Sequence, residues 1–202
     1  MKVAVLGASG RAGSEITKEL AARGHQVVAI ARKPETIATG PGITAVKGDA
    51  ADPSALAGLI AGVDAVISAL HFDISADTLL SALRQAGVAR LLVTGGAASL
   101  KLPSGERLID GPDFPEAWKG AAMGGINFLE DLRGVTDIDW TFFSPAAFIF
   151  EGPRLGTYRG GKDELISDEA GESKISFADY AIAMVDELEA HNHPRARFTA
   201  AY

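Results

Sequence analysis

Three glycines, Gly7, Gly10 and Gly13, follow a short apolar run of strand type (Val3, Val5, Leu6) and open a segment of helical period from Ser14 to Arg23, with Ile16 and Leu20 four apart. Strand, tight glycine turn and helix in that order can hold a pyrophosphate. The turn lets the backbone approach the anion, and the helix start offers unpaired N–H groups and a positive dipole end. The spacing is Gly-x-x-Gly-x-x-Gly rather than Gly-x-Gly-x-x-Gly. Gly7, Ser9, Gly10, Arg11, Ala12 and Gly13 are the residues this reading places at a dinucleotide. The alternative is a tight strand-to-helix turn without a ligand.

Further candidates stand at the ends of later apolar runs. Arg32 and Lys33 follow Gln26–Ala31. An acid there binds the ribose 2′-hydroxyl of NAD, and a base accommodates the 2′-phosphate of NADP. A guanidinium grips phosphate with two parallel hydrogen bonds, and a lysine adds a point charge. The pair therefore favours NADP(H) over NAD(H), unless both are solvated surface cations. Asp49 and Ala50 follow Ile43–Lys47; Asp49 is placed to read an adenine amino group or to form the turn. Ala69, Leu70 and His71 end the run from Ala65. That is the end which faces the ligand crevice in open parallel sheets. Thr94, Gly95 and Gly96 end Arg90–Thr94, and their small size lets the chain pass close beneath a nicotinamide ring.

Ser144 and Pro145 follow Asp139–Phe143. Four of the nine phenylalanines fall between 142 and 150, more than one strand can bury. Phe148 and Phe150 lie beyond it and offer flat apolar faces to an aromatic ligand, with ordinary packing as the alternative. Ser99 is a further substrate-side candidate. No catalytic residue and no metal site is assigned.

These residues need a frame of alternating strands and helices. Asp52 is placed to cap a helix from Pro53 to Ala61, and Ser75 one that Gly87 closes. Residues 100–116, with three prolines, read as a loop, and Trp118–Arg133 as a helix that Gly124 and Gly125 weaken. From Gly156 a hairpin is expected with Gly160-Gly161 at its tip. A helix over Ser176–Ala190 and a last short strand over 196–202 complete the pattern. The fold class is α/β: a doubly wound parallel sheet in a single domain over 1–202, with 151–175 and 191–202 as a small substrate-side extension.

The 202 residues carry 47% hydrophobic content, enough for a sizeable core, and a net charge of −7, which argues against a general nucleic-acid surface. The absence of cysteine excludes disulfides, thiol catalysis and thiolate metal sites. No apolar run approaches the ~18 residues of a membrane span. No signal peptide is read, so a cytoplasmic protein acting on a small molecule is expected.

The chain resembles the atypical short-chain dehydrogenase/reductase superfamily through Gly7-Ala-Ser-Gly-Arg-Ala-Gly13, Gly48-Asp49, Asp64–Ala69, Asp139-Trp-Thr141 with Ser144-Pro145, and Ile175–Asp179. It is most similar there to the bacterial NAD(P)H-flavin reductases, through Leu91–Ala97, Asp113–Pro115 and Tyr180–Leu188. The resemblance implies a Rossmann fold, a nicotinamide cofactor, and free flavin (FMN, FAD or riboflavin) or a similar flat acceptor as substrate. Oxidoreductases of the wider superfamily carry a Tyr-x-x-x-Lys pair on the helix after the fifth strand. Here that helix has no tyrosine, and Ala122 and Ile126 take the two places. The literal match Tyr158-Arg-Gly-Gly-Lys162 lies far beyond. Related biliverdin-reducing enzymes place Ser and His near their substrate, where this chain has Ala97 and Ala146. Flavin reduction tolerates both departures, because it needs two rings stacked at the right distance. The competing readings are a non-catalytic NAD(P)-sensing regulator and a reductase or isomerase of an unrelated small substrate.

Overall fold

The computed structural model describes residues 1–202. The apolar runs become β1 (Lys2–Leu6), β2 (Gln26–Ala31), β3 (Ile43–Lys47), β4 (Ala65–Ser68), β5 (Arg90–Thr94) and β6 (Asp139–Pro145). They lie in the order β3-β2-β1-β4-β5-β6, every pair parallel. The chain thus winds outward from β1 to β3 and returns to β4 on the other side. That reversal opens a crevice beyond the carboxyl ends of β1 and β4. The helices are α1 (Arg11–Ala22), α2 (Pro53–Ile60), α3 (Ala76–Ala86), α4 (Glu116–Arg133) and α5 (Phe177–Ala190).

Both faces of the sheet are covered, which is why the strands read as continuous apolar runs. Val3 and Val5 of β1 join the core shared with Ile16 and Leu20 of α1 and Met184 and Val185 of α5. Ala4 and Leu6 join the opposite core, with Leu56 of α2, Leu83 of α3 and Leu132 of α4. Each such leucine, fully buried, contributes about 1.5–3 kcal/mol. Capping residues set the helix starts: Asp52 accepts from the Ser54 and Ala55 N–H groups, Ser75 from Thr78, and Ser176 from Asp179. α1 begins three residues before the expected Ser14, behind Gly10, which offers no side-chain cap. The glycines of α4 make room for a ring: a Cβ on Gly125 would lie 2.9 Å from Phe72.

The C-terminal part departs from expectation. The hairpin tipped by Gly160-Gly161 does not form. Arg159–Gly161 is a strand, β8, antiparallel to β10 (Ala196–Ala201), and β10 lies parallel to β6 in the main sheet. A Cβ on Gly161 would stand 3.2 Å from Ile166 and 3.3 Å from Thr199. Here glycine serves packing across a strand pair, whereas turn chemistry was read from it. β7 (Phe148–Phe150) and β9 (Lys174–Ser176) form a separate parallel pair.

Asp179 anchors this region. Its side chain is fully buried and accepts from the Leu155 and Gly156 N–H groups at 3.0 and 2.8 Å and from the hydroxyls of Ser176 and Tyr202. Burial alone would raise its pKa, but these donors outweigh it and hold the carboxyl below the usual aspartate range.

Candidate functional site

The glycine turn is built by close approach. Gly7 has φ +74°, and a Cβ on it would meet the Ala69 carbonyl oxygen at 2.5 Å. Its N–H and that of Ala8 both donate to the Ile30 carbonyl, at 3.0 and 3.2 Å, tying the turn to the end of β2. A Cβ on Gly13 would stand 2.2 Å from the Gly7 carbonyl oxygen. Only glycine lets α1 start this close to β1. The N–H groups of Arg11, Ala12 and Gly13 donate to no backbone acceptor, and the first turn of α1 holds no acid. An uncapped start with free donors and a positive dipole end suits an anion.

Above this turn lies a cavity of about 600 Å³ at the carboxyl ends of β1 to β4. Of the sequence-predicted residues, Gly7, Ser9, Gly10, Arg32, Lys33, Asp49, Ala50, Ala69, Leu70 and His71 line it. Arg32 and Lys33 are exposed and form no ion pair, so their charges are free for an anionic ligand. One Asp49 oxygen is engaged by the Ala51 N–H at 3.0 Å, forming the turn that was one of its two readings. Its other oxygen is without a partner. Thr36, Asp73 and Ile74 also line the cavity, and the sequence reading missed them. Their signal was position: Thr36 follows the cation pair across Pro34, and Asp73 and Ile74 continue the loop from His71.

The remaining candidates lie outside this cavity. The Arg11 guanidinium sits 5.2 Å over the Phe177 ring, so its side chain leaves the turn for α5. Ala12 and Gly13 face the core side of α1. Thr94, Gly95 and Gly96 are half-buried at the end of β5. The smallness of Gly95 is taken up by packing, because a Cβ there would lie 2.1 Å from the Phe142 ring, while Gly96 has open space. Ser144 and Pro145 are buried at the end of β6. Ser99 accepts from Arg197 at 2.8 Å, and Arg197 in turn pairs with Asp163, so its oxygen already has a partner within the protein. Phe148 and Phe150 stack on each other with centroids 6.2 Å apart, and Phe148 is 58% exposed. Tyr158 and Lys162 lie on the far side of α5, where the Tyr158 hydroxyl donates to Asp186 at 2.6 Å.

The fold and this glycine turn define a nucleotide-binding Rossmann protein. Residues 7–191 match the NAD(P)H-binding family, and the chain belongs to it. Among the solved structures similar over its full length, three carry names that bear on function. A Burkholderia pseudomallei protein described as a candidate exported protein is 43% identical, with a TM-score of 0.91 and all of its chain covered. A candidate epimerase from Bacteroides thetaiotaomicron is 39% identical (TM-score 0.94, 96% of that chain covered). A candidate NADH-flavin reductase from Streptococcus pneumoniae is 35% identical (TM-score 0.88, 99% of that chain covered). No helix here is long and apolar enough to cross a membrane.

Proposed function

We propose that the protein is an NAD(P)H-dependent oxidoreductase that prefers NADP(H) and reduces free flavin or a similar flat acceptor, with residues 1–202 acting as one unit. The observation that carries the cofactor preference is the pair of unpaired cations, Arg32 and Lys33, in the wall of the cavity beside the glycine turn. The likeness to the Streptococcus protein described as a candidate NADH-flavin reductase supports the acceptor class.

The site fits a dinucleotide on its own geometry: free N–H groups at the start of α1, brought up to the end of β1 because Gly13 carries no Cβ, and opening on the cavity beside Arg32 and Lys33. When bound, the cofactor supplies a hydride. The chain's residues do the rest. Backbone N–H groups of Arg11 to Gly13 take the pyrophosphate charge. Arg32 and Lys33 hold the 2′-phosphate, and the free Asp49 oxygen accepts from the adenine amino group. Ala69, Leu70 and His71 on one side, and Thr94 to Gly96 with Ser144 and Pro145 on the other, border the nicotinamide end. Catalysis is then mostly proximity and orientation, with the remaining proton drawn from water. α4 offers no tyrosine for a Tyr-x-x-x-Lys mechanism.

The test is a titration with NADPH and NADH, beside anaerobic turnover with FMN, FAD and riboflavin followed by loss of nicotinamide absorbance. Arg32→Ala is expected to weaken NADPH about 10- to 100-fold, the loss of hydrogen bonds to a charged group, and to leave NADH unchanged. Equal affinity of the wild type for both cofactors overturns the NADP preference. Tight binding without turnover of any flavin overturns the reductase assignment in favour of a nucleotide sensor.

A further inference from the structure

The hydroxyl of Tyr180 is buried and makes no full hydrogen bond. The residue lies in the first turn of α5 and is 1% exposed. Its ring is parallel to that of Phe143 in β6, with centroids 4.2 Å apart and planes 7° apart, and Phe143 stacks in turn on Phe198 of β10. Leaving a buried hydroxyl short of a partner costs stability. A phenylalanine would fill the same stack without that cost, so the hydroxyl itself needs an explanation.

Its surroundings supply one. Phe143 is in register with Thr94 of β5, and side chains in register on parallel strands share a face, so Thr94 projects toward α5 as Phe143 does. Thr94 is thus a hydroxyl-bearing side chain on the sheet face against which the Tyr180 ring packs. Thr94 is half-buried at the carboxyl end of β5, beside the place where the nicotinamide half of a dinucleotide would lie. A phenol is a better proton donor than an aliphatic alcohol, so when the two close up, Tyr180 donates and the Thr94 oxygen accepts. Burial pushes the Tyr180 phenol well above its ordinary range, so it keeps the proton it donates. The Thr94 O–H is then left to donate elsewhere.

We infer that Tyr180 is a positioning residue which, by donating to Thr94, aims the Thr94 hydroxyl into the crevice to donate to an oxygen of the ligand, the nicotinamide carboxamide carbonyl. The inference rests on the dinucleotide reading above and adds a residue to it that does not touch the ligand.

The test compares NADPH with 2′-phospho-ADP-ribose, which lacks only the nicotinamide ring, by titration of the full chain and its variants. Tyr180→Phe is expected to melt at or above the wild-type temperature and to bind NADPH about three- to tenfold more weakly, the loss of one neutral hydrogen bond. Its affinity for 2′-phospho-ADP-ribose is expected to be unchanged. Thr94→Val should match it, Thr94→Ser should restore binding, and the double variant should be no weaker than Thr94→Val alone. NADPH affinity unchanged in Tyr180→Phe, or equal weakening of both probes, overturns the inference alone. A wild-type protein that binds neither probe overturns the dinucleotide reading and this inference with it.

Discussion

At Gly13 two effects of opposite sign compete, and their sizes differ enough to be separated. Inside a helix, alanine is favoured over glycine by about 1 kcal/mol. Gly58 of α2 shows that effect alone, because nothing lies within 4 Å of an added Cβ. Gly58→Ala is therefore expected to raise stability by about 0.5–1 kcal/mol. At Gly13 the same methyl would stand 2.2 Å from the Gly7 carbonyl oxygen, against an ordinary contact of 3.4 Å or more. The obstacle is backbone, and that oxygen also accepts the Gly10 N–H at 2.9 Å. Either α1 or the turn must retreat by about 1 Å, and overpacking of that kind costs about 1–3 kcal/mol. A rigid obstacle puts the cost at the upper end, so the net loss for Gly13→Ala is about 2 kcal/mol after the helix gain. The retreat also pulls the N–H groups of Arg11 to Gly13 off the anion, and NADPH affinity should fall at least about tenfold, the weight of one such contact. Urea unfolding of the two variants and the wild type, with an NADPH titration of each, measures both quantities. Gly13→Ala as stable as Gly58→Ala, or binding NADPH as the wild type does, would refute the close approach.

Two further outcomes concern the C-terminal region. Asp179→Asn removes a charged acceptor from four donors, for an expected loss of about 2–3 kcal/mol in urea unfolding. Because the folded pKa of Asp179 lies below its unfolded value of about 3.9, its contribution is present above that pH and is lost as pH falls through the folded value. The variant should therefore lose less stability than the wild type on acidification below pH ~4, and parallel acid limbs would contradict this. Phe148, 58% exposed, can be truncated cheaply: Phe148→Ala should change stability by less than about 1 kcal/mol. It should also raise the KM for flavin severalfold while leaving NADPH binding intact, the loss of one ring stack of about 0.5–1.5 kcal/mol. Loss of folding would instead make Phe148 a packing residue.

The sheet was legible because its signals are local. β2, β3 and β5 have the bounds expected for them, since each apolar run stops at a cation, a glycine or a turn. Asp52, Ser75 and Gly87 act as the caps their types suggest. The start of α1 was set three residues late because Gly10 caps without a side chain, leaving no mark in the sequence. Gly160-Gly161 carried a turn signal, but the reason for glycine at 161 is the space left by Ile166 and Thr199, which lie apart from it in sequence. Gly95 was read as room for a ligand ring, and the ring beneath it is the protein's own Phe142. The bond that Ser99 accepts was equally invisible, since its partner Arg197 is 98 residues away. In the cavity the sequence located the glycine turn and the cations, where strand ends converge. Asp73 and Ile74 were missed because a loop's approach to a strand end is decided by packing.

The Ile30 carbonyl, which receives both Gly7 and Ala8, welds the phosphate turn to the last residues of β2. Two residues further on, the chain leaves the sheet at Arg32, and the short helical turn Pro34–Thr36 is held by local bonds from Thr36 back to Lys33 and from Ile37 back to Pro34. The socket is thus made of a fixed part and a detachable tip. On the proposed function, exchange of residues 32–36 is expected to change the preference between NADPH and NADH while the fold around the glycine turn stays in place.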